Sequence, residues 1–145
     1  ILASSIESGS ILLWDVSVNR ELGWLRGHTL RAGELVFSRD CKHLASASAD
    51  GSVRLWDIGE RRELAAFRSG ADTFWSVAVS PDGNRLAAGT GDGRVVLWDM
   101  TTRQHAATFR VQRSGIVSRV HFSPDGQTLY GFAPETIALW RAAPP

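Results

Sequence analysis

Four tryptophans stand at positions 14, 56, 98 and 140, a constant step of 42 residues. No other feature of the 145-residue chain limits its fold as tightly. A fixed period of this size marks a repeat architecture, in which one supersecondary unit recurs and each copy packs on its neighbours. The local contexts agree. SGSILLWD ends at Asp15, ADGSVRLWD at Asp57 and GDGRVVLWD at Asp99, whereas ETIALWR carries Arg141 in place of the acid.

Within one unit the pattern is that of short strands. Residues 34–38 alternate, with Leu35 and Phe37 on one face; 39–41 turn; 43–48 form a second strand; 49–51 turn again. A third strand at 52–58 and, after the polar GERR, a fourth at 63–68 complete the unit. The next unit repeats this order at 75–80, 85–90, 94–100 and 105–110, and the last has strands at 118–123, 128–132 and 136–141. The first 28 residues hold only the later part of a unit. Strands of this spacing with no helical period predict an all-β sandwich, barrel or propeller.

The turns have a mechanism. In SPDG, at 80–83 and 123–126, proline presets the first corner, aspartate bonds the backbone beyond it and glycine takes a left-handed conformation. The earlier copy is SRDC, with Cys41 at the glycine position. Either Cys41 takes positive φ under strain or this turn is shaped differently; the second is the expectation here.

At this point the chain resembles a WD-repeat β-propeller. The matching residues are GH at 27–28, SPDG at 80–83 and 123–126, DG at 50–51 and 92–93, and LWD at 13–15, 55–57 and 97–99. The resemblance spans essentially the whole chain. It implies blades of four-stranded antiparallel sheets, divided as 1–28 (partial), 29–70, 71–112 and 113–145 (partial). Strand counts of three, four, four and three imply an incomplete ring, since propellers close with 4–8 blades. The expectation is the C-terminal half of a seven-bladed propeller, its open faces covered by the remaining blades of the parent protein or by self-association.

The resemblance also implies a polar relay of His28, Ser46, Asp50 and Trp56, in which each buried group satisfies part of another's hydrogen-bonding need. The relay is whole only once. Gly70 and Ala88 replace the histidine and serine in the next unit, leaving Asp92 and Trp98; Pro134 and Glu135 occupy the aspartate's turn in the last, and Ser8 stands there in the first. Trp14, Trp56, Trp98, Trp140 and Asp92 are therefore expected to carry the blade cores.

Little points to chemistry. His28, His43, His105 and His121 offer no pair at metal-ligand spacing, and Cys41 is a lone cysteine that can build neither a zinc site nor an intrachain disulfide. GTGDGR at 89–94 lacks the strand-to-helix context and the lysine of a phosphate loop. No serine sits in a nucleophile elbow, and Asp15, Asp57 and Asp99 recur as architecture. A net charge of +1 favours neither nucleic acid nor an anionic membrane. No catalytic residue, metal or cofactor is expected.

What remains is surface. The resemblance implies docking of a protein partner or peptide on the top rim, at Arg31, Gly33, Thr73, Trp75, Ile116 and Ser118, with Glu7, Ala49 and Gly91 from the turns. Trp75 is the most informative, because it falls outside the repeat's core positions and aromatic residues dominate binding hot spots. The reading is a non-catalytic, cytoplasmic interaction scaffold or the sensor part of a larger protein. The alternatives are a small-molecule or carbohydrate-binding propeller and an enzyme with a central-channel site. A chain that starts at Ile1 without methionine reads as an excised piece.

Overall fold

Turn chemistry cuts the chain into short strands before packing is considered. At 80–83 the Gly83 N–H donates to Ser80 O at 2.9 Å, with Gly83 at φ 74. Asp82 Oδ1 fastens the turn, accepting from Ser80 Oγ at 2.5 Å and from the Asn84 N–H at 3.0 Å. The turn at 123–126 is built alike, with Gly126 at φ 71 and Asp125 accepting from Ser123. Cys41 overturns the expectation of a different shape. Its N–H donates to Ser38 O at 2.9 Å and it takes φ 57, in the left-handed region. The bond from Ser38 Oγ to Asp40, 2.6 Å, and that from the Lys42 N–H to Asp40, 3.1 Å, hold the turn against the strain of a Cβ there.

The structure, a computed structural model, describes residues 1–70 and 73–142; the blade start expected at 71 and the final residues 143–145 lie outside them. The first sheet comprises β1 (Leu2–Ser5), β2 (Ile11–Asp15) and β3 (Arg20–Leu25). The second comprises β4 (Ala32–Phe37), β5 (His43–Ser48), β6 (Val53–Asp57) and β7 (Arg62–Phe67). The third comprises β8 (Phe74–Val79), β9 (Arg85–Thr90), β10 (Arg94–Asp99) and β11 (His105–Arg110), and the fourth β12 (Arg119–Phe122), β13 (Thr128–Ala133) and β14 (Thr136–Arg141). Each sheet is an antiparallel meander in chain order, with no helix among the described residues. The first strands of the sheets lie side by side, β1 by β4, β4 by β8 and β8 by β12. These are propeller blades, as the repeat predicts, in a ring that is not closed.

The core is three layers, one between each pair of sheets. Leu44, Trp56 and Ile58 of the second sheet's side pack on Ile11, Leu13 and Leu25 of the first. Phe74, Val77, Leu86 and Trp98 pack on Ala45, Ala47, Val53 and Phe67. Val120, Phe122, Leu129 and Trp140 pack on Ala87, Val95 and Leu97. In every layer a repeated indole enters the preceding sheet, where small and β-branched residues leave it room. Trp56 and Trp98 are 1% and 2% exposed. Trp140 is half-buried and stacks on Phe109 with ring centroids 4.8 Å apart. Trp14 keeps the register, paired with Leu2, but no described sheet lies against it and it stays half-exposed.

In the first three sheets the outer strand bulges opposite the repeated LW dipeptide. The outer strand's register shifts between Leu13 and Trp14, between Leu55 and Trp56 and between Leu97 and Trp98. A bulge at each indole bends the strand and strengthens its twist. The following aspartate then fastens the next turn: Asp57 Oδ1 accepts the Glu60 N–H and Asp99 Oδ1 the Thr102 N–H, both at 2.8 Å, and Asp15 accepts the Ser17 N–H at 2.9 Å.

Candidate functional site

The second sheet carries a continuous chain of hydrogen bonds. The Trp56 indole N–H donates to Ser46 Oγ at 2.8 Å, and Ser46 Oγ lies 2.7 Å from His28 Nε2. His28 Nδ1 lies 2.8 Å from Asp50 Oδ2. A carboxylate only accepts, so Nδ1 holds the proton and the Ser46 hydroxyl donates to Nε2. Asp50 also accepts from Ser52 Oγ at 2.5 Å, the Ser52 N–H at 2.9 Å and the Thr29 N–H at 3.1 Å. Burial pushes the Asp50 carboxyl up, but the bonds from Ser52, His28 and Thr29 outweigh it and hold it at about 2. Burial lowers the His28 pKa, and the Asp50 carboxylate partly offsets it. The four side chains tie the loop before β4 to the middle of the blade.

The third sheet solves the same packing problem differently. Phe74 stands 5.7 Å from Trp98 between ring centroids, nearly the 5.8 Å that separates His28 from Trp56. Phe67 flanks the same indole at 5.7 Å. Apolar rings thus take the place of the relay. Asp92, expected in the blade core, is instead 54% exposed at the side chain and pairs with Arg94 at 2.7 Å. With Gly70 where the histidine would be, no imidazole reaches it, and Arg94 and the Thr90 hydroxyl supply the donors. In the fourth sheet Ala133 pairs with Thr136 across a two-residue turn, and Pro134 stands where the aspartate would be.

On the rim, a second kind of bulge positions Trp75. The β8–β9 register shifts between Phe74 and Ser76, so Trp75 is the extra residue, unpaired and turned outward at 43% exposure. The β4–β5 register shifts in the same way between Ala32 and Glu34, around Gly33. A Cβ on Gly33 would meet the Trp75 carbonyl oxygen at 3.2 Å, so the glycine admits the neighbouring bulge. Thr73, Trp75 and Ile116 come together with Gly91, Asp92 and Arg94 around a recess of about 380 Å³. A Cβ on Gly91 would collide with Thr73 Oγ1 and lie 3.2 Å from Trp75 Nε1, so the glycine leaves room for both side chains as they stand.

The remaining expected rim residues lie apart from that recess. Arg31 pairs with Glu7 at 3.4 Å, both well exposed. Ser118 Oγ donates to Phe132 O at 3.3 Å. Ala49 is half-buried in its turn. His105 and His121 are exposed, and among the described residues no three His, Cys, Asp or Glu side chains converge as metal ligands. Among the described residues no helix is long and apolar enough to cross a membrane.

Two residues escaped the sequence reading. Phe74 opens β8, one residue before the strand expected at 75–80; its signal was an aromatic where the preceding unit has Ala32. Glu34 spans two blades, its Oε2 accepting the Val77 N–H at 2.8 Å, and burial raises its pKa. A carboxylate in an otherwise apolar strand was the only hint.

The geometry defines a class: consecutive four-stranded blades with a tryptophan–serine–histidine–aspartate relay. The family described as WD domain, G-beta repeat matches residues 19–57 and 62–99, more than half of the chain. The chain belongs to this family, whose repeats generally mediate protein–protein interactions. No curated protein matches the chain.

Proposed function

We propose that this chain is a non-catalytic scaffold that docks a protein segment across the rim formed by the loops before β4, β8 and β12. Trp75 carries the reading. A bulge spends a ladder position to turn a large indole out of the sheet beside a recess with an ion pair, a hydroxyl and Ile116. Bulges recur where a side chain must be re-aimed, and tryptophan anchors dominate interfaces. The buried relay below ties the neighbouring loop to the blade, which lowers the ordering cost of docking. A sugar-binding reading would need several open indoles, whereas Trp56 and Trp98 are consumed by the core.

The two end faces belong to the same proposal. Leu2 and Val16 are 54% and 62% exposed on the Trp14 side, and Ile137 and Leu139 are 63% and 55% exposed on the last sheet. The first pair stands where Leu44 and Ile58 stand in the second sheet, and the second pair where Val95 and Leu97 stand in the third, all inside layers. Sheets of the same repeat type, from a longer chain or a second copy, would extend the stack at both ends.

The test is selection of binding peptides from a displayed library, repeated with Trp75→Ala. Peptides that bind the parent chain and lose about tenfold or more in affinity on Trp75→Ala, at an unchanged unfolding midpoint, support the reading. Undiminished binding to the variant would refute it.

A further inference from the structure

The recess beside Trp75 opens where the third sheet lacks the relay's histidine. In the second sheet the His28 ring lies against Asp50, its Nδ1 2.8 Å from the carboxylate. The equivalent residues in the third sheet are Gly70 and Asp92. Gly70 lines the recess, and a Cβ on it would meet nothing within 4 Å. The groups around that opening are donors. The Trp75 indole N–H and the Thr73 hydroxyl stand over the same glycine, Gly91, and among the described residues no hydrogen bond engages either. Arg94 gives Nε and Nη2 to Asp92, at 3.0 and 2.7 Å, and keeps Nη1. Asp92 is neutralised by this two-pronged pair and also receives the Thr90 hydroxyl at 2.6 Å. An indole N–H and a guanidinium donate and never accept. The bordering loops, 68–73 and 110–118, carry Arg68, Arg110 and Arg113 against Asp72, which lies outside the described residues, and Glu135 stands in the next turn. Beyond the neutral Asp92–Arg94 pair the balance is positive. The set belongs to one blade, since Arg31 and Gly33 hold the positions of Thr73 and Trp75 in the second sheet.

We propose that the recess receives the carboxylate of an acidic side chain in the partner segment, with an aliphatic neighbour of that segment lying on Ile116 and the indole face. This rests on the rim reading above and adds the chemistry of the residue that docks. A carboxylate offers two oxygens, one for the Trp75 N–H and one for Arg94 Nη1, and bonds to an ionised group are the stronger kind. A glutamine amide brings one oxygen and a pair of donors that nothing there takes, and a lysine brings donors only.

The probes are acetyl-Leu-Glu-Leu-amide and its Gln and Lys counterparts, with inorganic phosphate as a fourth, titrated into the full chain. The readout is the Trp75 indole N–H resonance, assigned as the signal missing from Trp75→Phe. The Glu peptide is expected to shift it saturably, the Gln peptide to bind about tenfold more weakly and the Lys peptide more weakly still. Trp75→Phe keeps a ring and deletes the donor, so the preference for Glu over Gln, followed by the Ile116 methyls, should shrink. Arg94→Met leaves Asp92 unpaired and should turn the preference towards Lys. Absence of a saturable shift with the Glu peptide overturns the proposal. So does phosphate that matches the Glu peptide, which would assign the recess to a phosphoryl group. Equal binding of the three peptides, each weakened by Trp75→Ala, overturns the acidic occupant and keeps the rim reading. Library-selected peptides indifferent to Trp75→Ala overturn the rim reading and this one with it.

Discussion

Phe74 meets the Trp98 indole at 5.7 Å, and in the adjacent sheet His28 meets Trp56 at 5.8 Å. One ring is apolar and the other closes a hydrogen-bond chain, yet both hold the repeated tryptophan against the preceding sheet. What the repeat conserves across these two blades is the seat of an indole. The polar relay is one way to build its wall. The free energies of the two walls differ in kind, and they separate experimentally.

Trp56→Ala should destabilise more than His28→Ala. Removing a buried tryptophan costs about 3–5 kcal/mol through lost transfer energy and a cavity. Removing His28 leaves Asp50 with its bonds from Ser52 and Thr29, and Ser46 with its bond from Trp56. The cost is then about 1–3 kcal/mol for partly unsatisfied groups. Denaturant titrations of both variants decide it; equal midpoint shifts would mean that the relay, not the indole, bears the load.

In the third sheet the load should fall on Phe74. Phe74→Ala is expected to cost about 3–5 kcal/mol, as a buried ring lost from a packed layer does. Ala88→Ser restores the hydroxyl that accepts from the indole in the second sheet but not the histidine, so it should change stability by less than Phe74→Ala does. Thermal unfolding of the two variants checks the contrast, and a larger shift for Ala88→Ser would contradict it.

Much of this was legible in the chain. The period of 42, the turn residues and the strand alternation fixed sheets and their order, because each rests on local geometry. The relay residues were readable through the resemblance, and the sheet brings all four within hydrogen-bonding distance. Trp75 stood out as an aromatic off the core pattern. The bulge that turns it outward did not, since a bulge depends on cross-strand register, which no single strand encodes. Phe74 was hidden for a related reason. Its role becomes visible only when equivalent positions of neighbouring sheets face one another. Cys41 misled because a strained φ looks avoidable in sequence, whereas Ser38 and Asp40 enforce it.

Stability should fall on the acid side in two stages, and Asp50 should own much of the lower one. Its folded pKa of about 2 lies below the ordinary 3.8, so its stabilisation is complete above about pH 4 and is lost as pH falls towards 2. His28 also has a lowered pKa, so protonation of the unfolded chain begins to destabilise the fold as pH drops below 6.5. Asp50→Asn removes the lower stage and also takes from His28 the neighbour that offsets its burial, so the upper stage deepens in the variant. The stability gap between parent and variant should therefore widen as pH falls below 6.5 and narrow below about 4. The exposed turn aspartates titrate in both proteins and cancel. Midpoints measured across this range that keep a constant gap down to pH 2 would remove Asp50 from the account.

Two substitutions at one turn position should have opposite signs. Cys41 carries a Cβ at φ 57, while Gly83 takes φ 74 in the equivalent turn and has no atom within 4 Å of where a Cβ would stand. Left-handed backbone costs a residue with a Cβ about 1–2 kcal/mol, part of which glycine returns through the larger entropy of its unfolded chain. Cys41→Gly should therefore stabilise by roughly 1 kcal/mol, and Gly83→Ala should destabilise by a similar amount. Space cannot explain the second effect, because there is nothing for the methyl to strike. Chemical denaturation of both variants measures conformation alone, and a stabilising Gly83→Ala would mean that the turn relaxes out of the left-handed region once the glycine is gone.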